Sequence, residues 1–76
     1  MQDTIFGSAT RTGSLVAIGR LQRTYISEVA KLLGRRVIEV QRAVVSLEQA
    51  GVVVSSRLGN TRILELNPTF PARAEL

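Results

Sequence analysis

The side chains that carry most covalent and metal chemistry are missing from this sequence. It has no cysteine and no histidine, so thiolate nucleophiles, disulfides, imidazole bases and the usual transition-metal ligands are absent, and only carboxylates remain. Ser14, Ser27 and Ser46 have no visible partner to activate a hydroxyl. Glu28, Glu39, Glu48 and Glu65 are spread over different segments, so no acid and base pair is indicated. The spacing of Gly34, Gly51 and Gly59 matches neither a dinucleotide-binding turn nor a phosphate-cradling loop. The expectation is a protein that is not an enzyme and uses no cofactor and no metal. What remains is arginine. Ten Lys plus Arg oppose six Asp plus Glu, for a formal net charge of +4, and every cation except Lys31 is an arginine. The guanidinium is a planar fork of donors suited to phosphate and to the edge of guanine, whereas lysine is the usual choice for plain solubility. Charge alone assigns no ligand, because many small basic domains bind no nucleic acid.

A chain of 76 residues has room for one domain, spanning 1–76. No stretch approaches the apolar length needed to span a bilayer, and residues 1–7 lack the basic start and long apolar run of a secretory signal, so a soluble cytoplasmic protein is expected. From Ser8 to Leu21 a helix is expected, with Ser8 as its N-cap and Leu15, Val16, Ile18 and Leu21 as its apolar residues. Gly13 within it costs about 1 kcal/mol relative to alanine, which implies either a close packing contact or a later helix start. Arg20 to Tyr25 reads as a polar connector. Ile26, Val29, Ala30 and Leu33 then define a short second helix that Gly34 stops. A third helix from Val37 to Ala50 carries Val40, Val44 and Leu47 on one stripe, with Val37 and Ala43 at its edges and Gly51 as its left-handed exit. Its start looks poorly capped, since Arg36 or Val37 stands where Ser, Thr, Asp or Asn is preferred, although Glu39 suits the positive end of the helix dipole. Two β-prone runs, Val52 to Val54 and Thr61 to Leu66, flank the turn signal Gly59-Asn60 and form a hairpin. A two-residue turn there, or a four-residue loop with the same centre, pairs Val53 with Leu66, Ser55 with Leu64 and Arg57 with Arg62 on one face. Asn67-Pro68 ends the second strand, and the tail holds Phe70 and Pro71 without clear periodicity.

Helix, short helix, tight turn, longer helix and hairpin is an α+β order. Within it, the segment from Ser27 to Pro68 resembles small bacterial transcriptional regulators of the ArsR/MarR-like winged helix-turn-helix family. The residues that carry the resemblance are Val29-Ala30, Leu33-Gly34, Val40, Arg42, Val44, Leu47-Glu48, Gly51-Val52-Val53, Gly59 and Thr61-Arg62. The sequence departs from the family pattern at Arg36 and Val37, where serine or proline is commoner, and at Gly13, where a larger residue is usual. The resemblance implies a winged helix-turn-helix fold, three helices plus a two- or three-stranded β-hairpin wing, in a transcriptional repressor that binds double-stranded DNA.

The residues support a duplex partner independently. With Val40, Val44 and Leu47 inward, a rotation of about 100° per residue puts Ile38, Arg42, Val45 and Gln49 on the opposite face, with Gln41 and Ser46 on its flanks. An α-helix fits the major groove, where arginine forks onto guanine and glutamine onto adenine. Arg42 and Gln41 are therefore expected on base edges, with Arg36 and Arg35 nearer the phosphates. The competing reading of Arg42 is a solvated side chain paired with Glu39 or another acid. Ile38 and Val45 fit contact with thymine methyls equally well as packing against the hairpin or a second subunit. Directly opposed Arg57 and Arg62 repel each other, and a phosphate backbone would offset that repulsion, with Asn60 and Thr61 as further donors in a minor-groove grip. The alternative is two side chains splayed into solvent. For Arg11, Arg20, Arg23 and Lys31 a solvated surface role is expected. One small domain reads few base pairs, so a homodimer on a pseudo-palindromic site is expected, with Ile5, Phe6, the exposed part of the first helix and Phe70 as interface candidates. The competing function is a protein-interaction or adaptor module, including one excised from a larger nucleotidyltransferase-like protein.

Overall fold

A computed structural model of the chain describes the backbone of residues 2–69 and the side chains of residues 9–69. The elements run α1 (Gln2–Leu21), β1 (Thr24–Tyr25), α2 (Ile26–Leu33), α3 (Val37–Gln49), β2 (Val53–Leu58) and β3 (Thr61–Leu66). Together they make an α+β arrangement of three helices and a three-stranded antiparallel sheet in the order β1-β3-β2. Among the described residues, no helix is long and apolar enough to cross a membrane.

Helices α2 and α3 end in the same way, and in both cases a glycine makes the ending possible. After α2, Gly34 adopts φ 65°, its N–H donates to the Lys31 carbonyl, and the Arg35 N–H donates to the Ala30 carbonyl. After α3, Gly51 adopts φ 78°, its N–H donates to the Glu48 carbonyl, and the Val52 N–H donates to the Leu47 carbonyl. Both are Schellman closures, which satisfy terminal carbonyls while turning the chain sharply and require a left-handed residue. The start of α3 is better closed than its sequence suggests. Arg36 is the extended N-cap, and its backbone N–H donates to Glu39 Oε2 at 3.0 Å, so Glu39 supplies the reciprocal half of a capping box.

The hairpin has the expected register: Val53 opposite Leu66, Ser55 opposite Leu64 and Arg57 opposite Arg62. Leu58 pairs with Thr61, leaving Gly59-Asn60 as a two-residue turn in which the glycine supplies the positive φ, 63°. One cluster joins the elements: Ala17 and Ile18 of α1, Val29 and Ala30 of α2, Val40, Val44 and Leu47 of α3, Val53 of β2 and Leu64 of β3. Leu64 is fully buried on the middle strand, and full burial of such a side chain contributes about 1.5–3 kcal/mol. Asn67 locks the far end of the sheet to the exit of α3. Its backbone N–H donates to the Val52 carbonyl and its Nδ2 to the Gly51 carbonyl, each at 2.8 Å.

Three sequence expectations are corrected. First, α1 begins at Gln2, so Ser8 lies inside the helix and is not its N-cap. The upstream residues contain no proline, and extending a helix adds one backbone bond per residue fixed. Secondly, the expected apolar stripe of α1 holds only in part: Ile18 is buried and Leu15 packs half-buried against the core, but the other two members face out. Val16 and Leu21 are 51% and 40% exposed, whereas Thr10, Ser14, Ala17 and Ile18 are buried. The buried side chains are mostly short, which suits the close approach of α1 to α2 and α3. Gly13 belongs to the same close approach, since a Cβ there would lie 3.3 Å from Leu33 Cδ2. Thirdly, the connector between α1 and α2 contains a strand. Gln22 turns the chain with φ 68°, and Thr24 and Tyr25 then pair with Leu64 and Ile63 of β3.

Candidate nucleic-acid interface

The core stripe of α3 determines which of its residues face outward. With Val40, Ala43, Val44 and Leu47 buried, Ile38, Gln41, Arg42, Val45 and Gln49 are exposed. Ile38 and Val45 keep 46% and 40% of their surface open. Val37 and Gln41 lie on the side of α3 nearer the hairpin. They form one wall of an open groove of about 730 Å³, whose other walls are Tyr25, Ile26 and Ser27 at the start of α2 and Asn60, Thr61 and Arg62 at the hairpin tip. The fold thus brings Gln41, Asn60, Thr61 and Arg62 to a single groove. Arg35, Arg36, Ile38, Arg42, Val45 and Arg57 do not line it. Arg35 and Arg36 form the turn leading into α3, Ile38, Arg42 and Val45 occupy its outermost face, and Arg57 is exposed across the hairpin from Arg62.

Arginine partners divide the cations sharply. Arg62 is held from two directions: its Nη2 pairs with Glu48 Oε1, and its Nε donates to Ser55 Oγ at 3.2 Å. Ser55 Oγ in turn donates to Glu48 Oε2 at 2.6 Å, closing a ring that joins α3 to both strands of the hairpin. The repulsion between Arg57 and Arg62 is therefore offset by a carboxylate of the chain itself, and no phosphate is needed for that purpose. Glu39 pairs with Arg36, at 3.8 Å, and not with Arg42. Glu65 pairs with Arg23 at 3.4 Å, and Glu28 accepts a hydrogen bond from Thr24 Oγ1. Each carboxylate with a described side chain thus has a local partner. Arg11 donates to Ser46 Oγ at 3.1 Å, on the flank of α3 facing α1. Among the described residues, Arg35, Arg42 and Arg57 make no ion pair and no side-chain hydrogen bond. Arg36 and Arg62 are thus already matched to acids of the fold, whereas Arg35, Arg42 and Arg57 are not matched to any described one.

Tyr25, Ser27 and Val37 line the groove without having been singled out from the sequence. Tyr25 falls in the segment read as a connector, and its aromatic β-preference beside β-branched Thr24 was the available signal. Among the described residues, no group of three or more acidic side chains is gathered in a way that could hold a metal ion. Of the interface candidates for a second copy, the side chains of Ile5 and Phe6, and Phe70 entirely, lie outside the described residues. No family model, curated protein or solved structure matches this chain.

Proposed function

We propose that this protein is a winged helix-turn-helix domain that binds double-stranded DNA, with α3 as recognition helix and the β2–β3 hairpin as wing, and that it acts as a transcriptional repressor in the cytoplasm. The observation that carries this reading is the juxtaposition of Gln41 with Asn60, Thr61 and Arg62 in one groove, next to an outer α3 face bearing Arg42. A helix of 13 residues is about 20 Å long, enough to lie in a major groove. In that pose Arg42 and Gln41 meet base edges, Arg35 and Arg36 meet phosphates at the entry of the helix, and Arg57 with Asn60 and Thr61 meets the adjacent backbone or minor groove. Arg62 contributes chiefly by holding the wing to the helix through Glu48. Two copies on a two-fold site would supply the footprint that one small domain lacks.

Salt titration tests the proposal. Duplex binding through about six phosphates loses roughly a thousandfold in affinity between 50 and 200 mM salt. Fluorescence anisotropy with a labelled random-sequence duplex should show that steep decline. Affinity that is insensitive to salt, or no binding at the lowest salt, overturns the reading. One observation favours the adaptor alternative: the strand register places Tyr25, Val54 and Leu58, which are 41%, 40% and 65% exposed, on the sheet face away from the helices. Absence of duplex binding in the same titration would favour it.

A further inference from the structure

The outer face of α3 carries an arrangement that general DNA affinity does not require. Ile38, Arg42 and Val45 follow one another at i, i+4 and i+7, so they form a single line along the helix with the cation between two β-branched apolar side chains. All three are exposed, Arg42 has no partner among the described residues, and no carboxylate lies on this line. Leaving Ile and Val open to water forfeits favourable burial, and a phosphate-gripping surface gains nothing from them.

Resting on the duplex-binding reading above, we infer that Ile38 and Val45 are specificity residues that contact the 5-methyl groups of thymines flanking a guanine held by Arg42. Of the chemical features in the major groove, the thymine methyl is the one that an aliphatic side chain recognises, while the O6 and N7 of guanine suit the arginine fork. The spacing agrees. Seven residues at about 1.5 Å each separate Ile38 from Val45 by about 10 Å along the helix, or about three base-pair steps at 3.4 Å. A protein partner fits this line poorly. Two apolar side chains already half covered, with an uncompensated arginine between them, fall far short of the roughly 800 Å² per partner of a standard interface.

The experiment uses the whole chain. A preferred duplex is first selected from a random pool, and each thymine in it is then replaced singly by deoxyuridine, which lacks only the methyl group. Affinity is measured for the wild-type protein and for Ile38→Ala and Val45→Ala, whose exposed positions leave the core intact, with thermal unfolding as the check on folding. For wild type, loss of the methyl at two positions either side of a guanine should weaken binding roughly fourfold each, the affinity equivalent of one buried methylene. Ile38→Ala should abolish the effect at one position and Val45→Ala at the other. Selective, salt-dependent binding without any deoxyuridine effect overturns this inference and leaves duplex binding standing, as does selection that yields no preferred sequence. Failure to bind any duplex overturns both.

Discussion

The hairpin wall of the groove and the outer face of α3, which lies outside the groove, both carry arginines, and they are built differently. On the hairpin, Arg62 is enclosed by Glu48 and Ser55 and joins two elements of the fold. On α3, Arg42 stands between Ile38 and Val45 and makes no ion pair among the described residues. Both positions read alike in sequence as cations on a binding face. The contrast teaches that an arginine is available to a ligand only where the fold has not already given it an acceptor. It also explains Glu48, which sits in the last turn of α3, where a negative charge opposes the helix dipole. Pairing with Arg62 compensates that placement and sets the hairpin against the helix.

Five substitutions break or sharpen this contrast. The largest effect is expected from Arg42→Ala, which should remove about 1–3 kcal/mol of discrimination at one base pair while leaving stability unchanged. Competition binding against single-base variants of a selected duplex measures it, and an equal loss on every sequence would make Arg42 a phosphate contact. Next, Glu48→Gln should lower stability in urea by about 1–2 kcal/mol, a figure discounted because the paired side chains are still 38% and 23% exposed. Adding Arg62→Gln should recover part of that loss, because it removes the stranded charge; no recovery would mean that the two side chains are not coupled. Arg57→Ala should behave in the opposite way to Glu48→Gln, with stability within about 0.5 kcal/mol of wild type and the slope of log affinity against log salt reduced by about 1 on any duplex. The smallest change belongs to Ser14→Ala. The Ser14 hydroxyl is fully buried with no hydrogen-bond partner among the described residues, so its removal should raise stability by about 0.5–1 kcal/mol and leave DNA affinity untouched. A fall in stability would reveal a partner for that hydroxyl.

Local signals made some parts of this molecule readable from sequence and left others hidden. The stripe Val40, Val44, Leu47 and the glycines that end α2 and α3 are short-range patterns, and the helices follow them. Hairpin register was equally accessible, because a two-residue turn at Gly59-Asn60 dictates every pair behind it. β1 could not be read this way: two residues show no alternation, and Thr24-Tyr25 becomes a strand only because β3 lies beside it. The buried side of α1 was hidden for another reason. Thr10, Ser14 and Ala17 are not hydrophobic enough to mark a stripe, and they are buried for their small size. In the candidate site, the outward set on α3 followed from helical rotation alone. The tie from Arg62 to Glu48 spans two elements, and no spacing rule connects positions 48 and 62.

The strand order leaves β2 at the margin of the sheet, with one row of backbone donors and acceptors unclaimed among the described residues and with Val54 and Leu58 open to water. Such a margin is a template along which like chains zip together as concentration rises, and a single positive charge is a common guard against it. Arg57 is the charged residue in β2. Its guanidinium puts a positive charge on that margin, so Arg57→Lys is expected to stay monodisperse at high concentration and Arg57→Ala to self-associate more, as light scattering would read.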